Sequence, residues 1–482
     1  MATILPNQAR SGRWVEFMLL AMALGVSFFA YAQVGLAMTG HVPAEMNLYC
    51  GAFTVLALAF HLLVRWRAPY ADPVLLPVVV TLNGIGLAMI YRLDLTYRAS
   101  EVTQHADYVG ISTKQMLWTV IGVVAAMAVV VLLRDHRILR RVTFTSMILG
   151  LIGLLLPLVP GIGATINGSR IWIHLGPLSF QPAELSKVLL AIFFAGYFVT
   201  HRDAMSLAGP RLLGLQLPRL RDTGPILLAW AASLAVLVYQ KDLGTSLLFF
   251  GVFVVMLYVA TDRPSWIILG LLLSAGGVFL AYQSFSHVKA RFEIWLDPFS
   301  QTLYDRDPGG SYQIVQGLFG LGNGGLFGTG WGRGRPAITP LAFSDSIIPS
   351  LGEELGLTGL LAILLLGLIL AQRGLRTAIG VRDGFGKLLA AGLSFAMAFQ
   401  VFVVIGGVTR LIPLTGLTVP FLAYGGSSLV ANWIIVGLLL RISDGARRPA
   451  PPTSEIDLAP VIEAERQRAA ANATAPKAVS RV

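Results

Sequence analysis

The sequence is broken into apolar runs of roughly 17–25 residues, each long enough to cross about 30 Å of hydrocarbon as an α-helix. Pro, Gly and charged breakers delimit twelve of them, at 14–38, 47–65, 73–92, 115–133, 143–160, 184–200, 225–240, 243–260, 265–283, 349–371, 385–407 and 419–441. Only the short turn YQKDLGT separates the seventh from the eighth. The runs do not alternate with a period of two, which argues against a barrel. With 55% hydrophobic and 13% charged residues, the chain departs from soluble globular composition in the same direction. The expected fold is an all-α polytopic membrane protein of about 12 transmembrane helices, with one long polar loop at 284–348.

The net charge of +11 raises the question of nucleic acid, but its distribution excludes that reading. The positives gather in alternate short loops: Arg65 and Arg67; Arg134, Arg137, Arg140 and Arg141; Arg202, Arg211, Arg219 and Arg221; Arg373, Arg376 and Arg382. This is the positive-inside bias. The 284–348 loop balances five basic against five acidic residues and is expected outside, with both termini in the cytoplasm. Arg10 and Arg13 precede a first run too long for a signal-peptide core and without a small-x-small cleavage site, so it is read as an uncleaved span after a cytoplasmic segment 1–13. Residues 443–482, rich in Pro and Ala, have no sustained apolar face and are expected to be a disordered cytoplasmic tail. The single Cys50 lies inside an apolar run, which excludes a disulfide framework or a thiolate metal site.

Three outward segments are polar and turn-rich. In the first, NGSRIWIHLGP followed by FQPAELSK, Pro182 suits a first helical turn. Glu184 and Lys187 then stand three apart on one face; a capped helix start with a structural ion pair is the bland account of them. Arg170 beside Trp172 suits a phosphate or sugar, or else an aromatic belt at the membrane interface. In the second, QKDLGTS, Lys241 and Asp242 lie between two apolar runs and are either functional or a self-neutralising turn. The third, SYQIVQGLFGLGNGGLFGTGWGRGRP, packs seven glycines from Gly317 to Gly330, a density that suits tight turns or backbone lying close to a ligand. It lacks the GxxxxGK[ST] pattern of a nucleotide loop. Asp345, in FSDSIIP, falls at the mouth of a span, where partial desolvation raises a carboxyl pKa toward that of a useful base; a helix cap ahead of Pro349 is the competing account.

Together these segments resemble the FtsW/RodA/SpoVE (SEDS) family of bacterial cell-wall synthesis. The family pattern stands here as NGSRIWIHLGPLSFQPAELSK, QKDLGTS, WLDP…SYQIVQG…GNGGLFGTGWGRG, SDSIIPSLGEELGLTG and LIPLTGLTVPFLAYGGSSL, co-linear across residues 73–441. The resemblance implies a ten-helix core at 73–442, with residues 14–72 forming two additional N-terminal helices whose role it does not supply.

It further implies a peptidoglycan glycosyltransferase that polymerises lipid II outside the cytoplasmic membrane. The donor sugar is α-linked to a polyprenyl diphosphate and the product is β-1,4, so one inverting displacement suffices. That displacement needs a base on the acceptor hydroxyl and cations on the departing diphosphate. The family's essential acidic residue matches Asp345, although Ser344, Ser346 and Ile348 replace the family's Thr and aromatic neighbours. The matching motifs nominate Arg170, Trp172, Gln181, Glu184, Lys187, Lys241, Asp242, Tyr312 and Gln313 for substrate binding. Asp297, Asp305 and Asp307 are weaker carboxylate candidates. Arg410, where relatives often carry a small residue, is either an addition to the diphosphate site or a surface cation.

Ser427 and Ser428 have neither a GxSxG context nor a His partner and are read as a tight turn and helix start. His174 has no second His at ligand spacing, which argues against zinc. No firm cofactor is expected; a weakly held Mg or Mn ion on the diphosphate stays open. A class B penicillin-binding protein, the crosslinking transpeptidase, is the expected partner. Lipid II translocation and a non-catalytic scaffold are the alternative functions. The motifs do not separate elongation from division or sporulation, although WLDPF and GGLFGTGWGRG lean toward elongation.

Overall fold

The structure is a computed structural model and describes residues 12–99, 110–166, 169–175, 178–206, 211–212, 215–216, 220–306 and 309–449. Most of the expected tail and the first eleven residues lie outside that set, as does Asp307.

The expected spans are helices. They are α1 (Arg13–Thr39), α2 (Met46–Arg67), α3 (Leu75–Ala99), α4 (Ile111–Leu132), α5 (Thr143–Leu155), α6 (Pro182–Ser206), α7 (Leu220–Tyr239), α8 (Leu243–Thr261) and α9 (Ser265–Ser284). Three short helices follow, α10 (Ser286–Leu296), α11 (Gln301–Tyr304) and α12 (Tyr312–Gly324), and then α13 (Ile347–Gly380), α14 (Gly384–Val408) and α15 (Gly426–Arg447). Among the described residues, eleven helices are long and apolar enough to cross a membrane, and α7, with a shorter apolar stretch, stands where the run 225–240 is expected. Helix α15 runs to Arg447, past the expected start of the tail at 443, because its last turns are buried: Asp444 and Ser443 accept hydrogen bonds from the amides of Tyr70 and Asp72 in the connector that leads into α3.

Helices α3 and α15 are buried on nearly every side, whereas α9 leaves most of its apolar surface exposed, as a lipid-facing helix does. The two additional helices pack on this core. Ser27 of α1 sits against Gly84 of α3, where a Cβ would stand 1.8 Å from the Ser27 oxygen. At the opposite end Arg13 binds Glu16 and the carbonyl of Ala71, and Glu16 reaches His61 Nδ1 of α2 at 2.7 Å. Such buried charges persist only when paired.

About half of the loop expected over 284–348 is helical, and several of its glycines allow close packing. Gly324 lies so close to α13 that a Cβ would stand 2.1 Å from the carbonyl oxygen of Gly352. Helix α13 breaks at Gly356, with φ +68°, and the glycine segment fills the break: Thr329 and Gly330 donate to the carbonyls of Glu353 and Glu354, while Leu357 and Thr358 donate back to Gly325 and Leu326. Arg92 of α3 pairs with Glu354 at 2.5 Å and donates to the carbonyl of Gly334, locking the segment to the core.

A three-stranded antiparallel sheet was not expected. Strands β1 (Gly163–Ile166), β2 (Ser169–Leu175) and β3 (Leu178–Phe180) pair in order, with Trp172 opposite Ala164 and Ile173 opposite Phe180. The alternation of polar and apolar residues in SRIWIHL is the signal of this ribbon.

Candidate active site

A cavity of about 440 Å³ lies where α4, the β-ribbon, the start of α6, the α7–α8 turn, α10 and the segments before α13 and α15 converge. Asp345 stands in its wall. The turn that presents it is tight: the amides of Ser344 and Ser346 both donate to the carbonyl of Leu341, itself at φ +53°, and Phe343 accepts from the amide of Tyr424. Ser344 Oγ donates to Asp345 Oδ1 at 3.1 Å. The first residue outside α13 is Ser346, without a side-chain cap, so Asp345 is not a helix cap. Burial pushes the Asp345 carboxyl up, against the opposing pull of Ser344 and of the nearby Arg291 guanidinium.

Arg291 enters the cavity from α10 and is held by the carbonyls of Leu414 and Thr415, at 3.2 and 3.1 Å. It makes no ion pair with Asp345 among the described residues, so the carboxylate keeps lone pairs for a ligand. The cavity also receives Lys114 from α4 and Lys241 from the α7–α8 turn.

Six of the candidates come together here: Asp345, Trp172, Gln181, Glu184, Lys241 and Asp242 all line the cavity. Lys241 and Asp242 do not form a self-neutralising pair. Asp242 caps α8 through Thr245 N at 3.0 Å and accepts from Gln181 Nε2 at 3.0 Å, and burial raises its pKa. That leaves the Lys241 ammonium for the cavity.

The other five do not line it. Lys187 is buried, bound to Glu184 at 2.8 Å and to Gln400 Oε1 at 3.0 Å; Gln400 in turn donates to Thr418, so Lys187 braces the wall instead of touching a ligand. Arg170 donates to the carbonyl of Val159. Tyr312 packs edge-on against Tyr304, and Gln313 donates to Ser346 Oγ at 3.0 Å, next to Asp345. Arg410 lies outside the cavity lining, and it is not a free surface cation. It donates to the carbonyls of Trp295 and Leu296 and receives Trp295 Nε1, tying the end of α14 to the end of α10. Of the weaker carboxylates, Asp297 and Asp305 also lie outside the cavity lining.

A divalent cation held by the protein fits this donor set poorly. Among the described residues no three His, Cys, Asp or Glu side chains gather as a metal-binding group. Asp242 and Glu184 already spend lone pairs on Gln181, Thr245 and Lys187, while three cations supply positive charge at the cavity.

The family model for "Cell cycle protein" FtsW/RodA/SpoVE matches residues 73–448. The chain belongs to the FtsW/RodA/SpoVE family. The Mycobacterium tuberculosis protein named peptidoglycan glycosyltransferase RodA is 51% identical over 439 residues, 91% of this chain and 92% of that one. The Mycobacterium leprae protein of the same name is 48% identical, and the Bacillus subtilis stage V sporulation protein E is 35% identical over 78% of this chain and 98% of its own. Among solved structures, a chain of a peptidoglycan synthase complex that coordinates polymerization and crosslinking superposes with a TM-score of 0.61 at 25% identity, over 79% of this chain and 99% of that one. Thermus thermophilus rod shape determining protein RodA shares the fold, with a TM-score of 0.51 over 79% of this chain and 98% of that one. The family match begins at residue 73, leaving α1 and α2 outside it. The mycobacterial match is too long to fit between residues 73 and 482, so it reaches back into those two helices.

Family motifs did not point to Arg291 or Lys114. Arg291 is visible in the sequence only as one charge in a balanced loop, and Lys114 only as a polar residue at the head of an apolar run.

Proposed function

We propose that this chain is a peptidoglycan glycosyltransferase that polymerises lipid II on the outer side of a bacterial cytoplasmic membrane, with both termini inside. The names of its family relatives and the positive-inside bias of its loops support this reading. The observation that carries it is a carboxylate with raised pKa and uncommitted lone pairs, Asp345, sharing one cavity with Arg291, Lys241 and Lys114.

The acceptor sugar hydroxyl gives its proton to Asp345, and its oxygen attacks C1 of the donor sugar from the face opposite the diphosphate. The C1–O bond breaks, the diphosphate takes the electron pair, and the configuration inverts from α to β. Cations at the cavity stabilise the charge that develops on the leaving group. Burial in the cavity walls makes Asp345 a stronger base, and the Arg291 guanidinium opposes that rise. Trp172 offers an amphipathic ring for a sugar face. Lys187 and Gln400 hold the Glu184 and Thr418 walls in register. A class B penicillin-binding protein that crosslinks the nascent strand is the proposed partner, in line with the synthase complex among the structural neighbours.

The test is to supply lipid II to the purified full chain with its transpeptidase in liposomes and to separate the products. Glycan polymer supports the reading. Transbilayer movement of lipid II without polymer assigns the cavity to translocation, which requires no proton acceptor.

A further inference from the structure

We infer that Lys114 and Ser427, at the heads of α4 and α15, form a second diphosphate-binding pole in the cavity, separate from the one built on α10 and the α7–α8 turn. The inference rests on the glycosyltransferase reading: each cycle joins two sugars that both carry a polyprenyl diphosphate, so two such anions must be held near one cavity.

The first turn of α4 is unusually well fixed. Asp94 of α3 accepts from the Ile111 amide at 3.0 Å and from Ser112 Oγ at 2.6 Å. Thr113 Oγ1 meets Tyr49 OH of α2 at 2.8 Å, and Gln115 Nε2 donates to the carbonyl of Ala423 at 3.1 Å. Residues 111, 112, 113 and 115 are thus each tied to a neighbouring element. Lys114 is the exception: it lines the cavity, and among the described residues its ammonium has neither an ion pair nor a hydrogen bond. An ammonium lining a cavity at a helix head without a counter-ion marks a place where an anionic ligand is expected.

The head of α15 faces the same cavity and supplies the complementary donors. Gly425 has no side chain to cap the helix. The Trp118 indole of α4 covers Gly426 so closely that a Cβ there would stand 2.0 Å from the ring. Ser427 also lines the cavity, is only 2% exposed, and its hydroxyl has no partner among the described residues. Free amides, a buried hydroxyl and an ammonium together make a phosphate site. Gln115 and Trp118 hold the two helix heads against each other, so the pole is set by the fold rather than by a loop. Its ligand is the diphosphate ester of a membrane lipid.

The experiment measures binding of polyprenyl diphosphate to the full chain in phosphatidylcholine nanodiscs, for wild type, Lys114→Met, Lys114→Arg and Ser427→Ala. Lys114→Met is expected to weaken binding about tenfold, the scale of one lost charge-assisted hydrogen bond, with Lys114→Arg restoring most of it. In the polymerisation assay with the transpeptidase present, Lys114→Met should raise KM for lipid II, and Lys114→Arg should bring it back toward wild type. Wild-type binding by Lys114→Met overturns the inference, and so does a loss seen equally with phosphatidylglycerol in place of the diphosphate lipid. Lys114-dependent diphosphate binding in a wild-type protein that makes no polymer upholds the site and removes the glycosyltransferase reading instead.

Discussion

Arg291 and Asp345 flank the bare Cα of Gly416: a Cβ built there would lie 3.9 Å from Arg291 Nη2 and 3.9 Å from Asp345 Oδ2. Gly416 itself has φ +78°, a conformation that costs an L side chain about 1–3 kcal/mol. Glycine therefore keeps the space between base and cation open. Gly416→Ala is expected to lower polymerisation at least tenfold through strain and the methyl group in that space, and to lower the melting temperature. Retention of full activity would place the reacting atoms elsewhere in the cavity.

If Asp345 is the base, Arg291 also bears on the pH at which it works. The acid limb of kcat/KM should lie above the ordinary carboxylate value of about 3.9, because burial raises the Asp345 pKa. Removing a positive charge favours the neutral carboxyl and raises that pKa further. Arg291→Gln should thus move the acid limb to higher pH in addition to slowing the reaction. A limb that stays in place would show that another group governs it.

The same carboxylate has a cost in stability. Its pKa is higher in the folded than in the unfolded chain, so protonation favours folding: this contribution is present below about pH 3.9 and is lost as pH rises through the elevated folded value. Replacing the carboxyl by a neutral amide removes this burden, so Asp345→Asn should raise the melting temperature of the detergent-solubilised protein at neutral pH. Equal melting temperatures would argue that the carboxylate is fully solvated.

Arg410 offers a contrast with Arg291. Its two carbonyl bonds to α10 make it a strut, so Arg410→Ala should cost about 1 kcal/mol in stability, from one part-buried and one exposed hydrogen bond lost, and leave KM for lipid II near wild type. A selective rise in KM would return Arg410 to the diphosphate site.

How much of this was legible in the sequence follows from what each signal is made of. The spans were, since a run of apolar residues is a local property that the bilayer enforces. The β-ribbon was not anticipated, although SRIWIHL alternates as a strand does, because seven residues carry little weight beside the neighbouring helical runs. The glycines of 317–330 announced close approach but not its object; that object is the break at Gly356, thirty residues on, and only the fold brings the two together. Asp345, Glu184 and Lys241 were found through motifs. Arg291 and Lys114 reach the cavity from elements whose orientation depends on distant anchors, the carbonyls of Leu414 and Thr415 for one and Asp94, Tyr49 and Ala423 for the neighbours of the other. No local pattern records that. Lys187 and Arg410 show the converse: their place in the motifs suggests ligands, while their side chains bond to neighbouring elements outside the cavity lining.

The most direct test of the account is the turnover of lipid II by Asp345→Asn with the transpeptidase present, alongside its affinity for polyprenyl diphosphate. Loss of a positioned base should lower kcat by about 10²–10⁴-fold while diphosphate binding persists. Polymer of wild-type yield and length from Asp345→Asn would contradict the central claim that this carboxylate takes the acceptor proton.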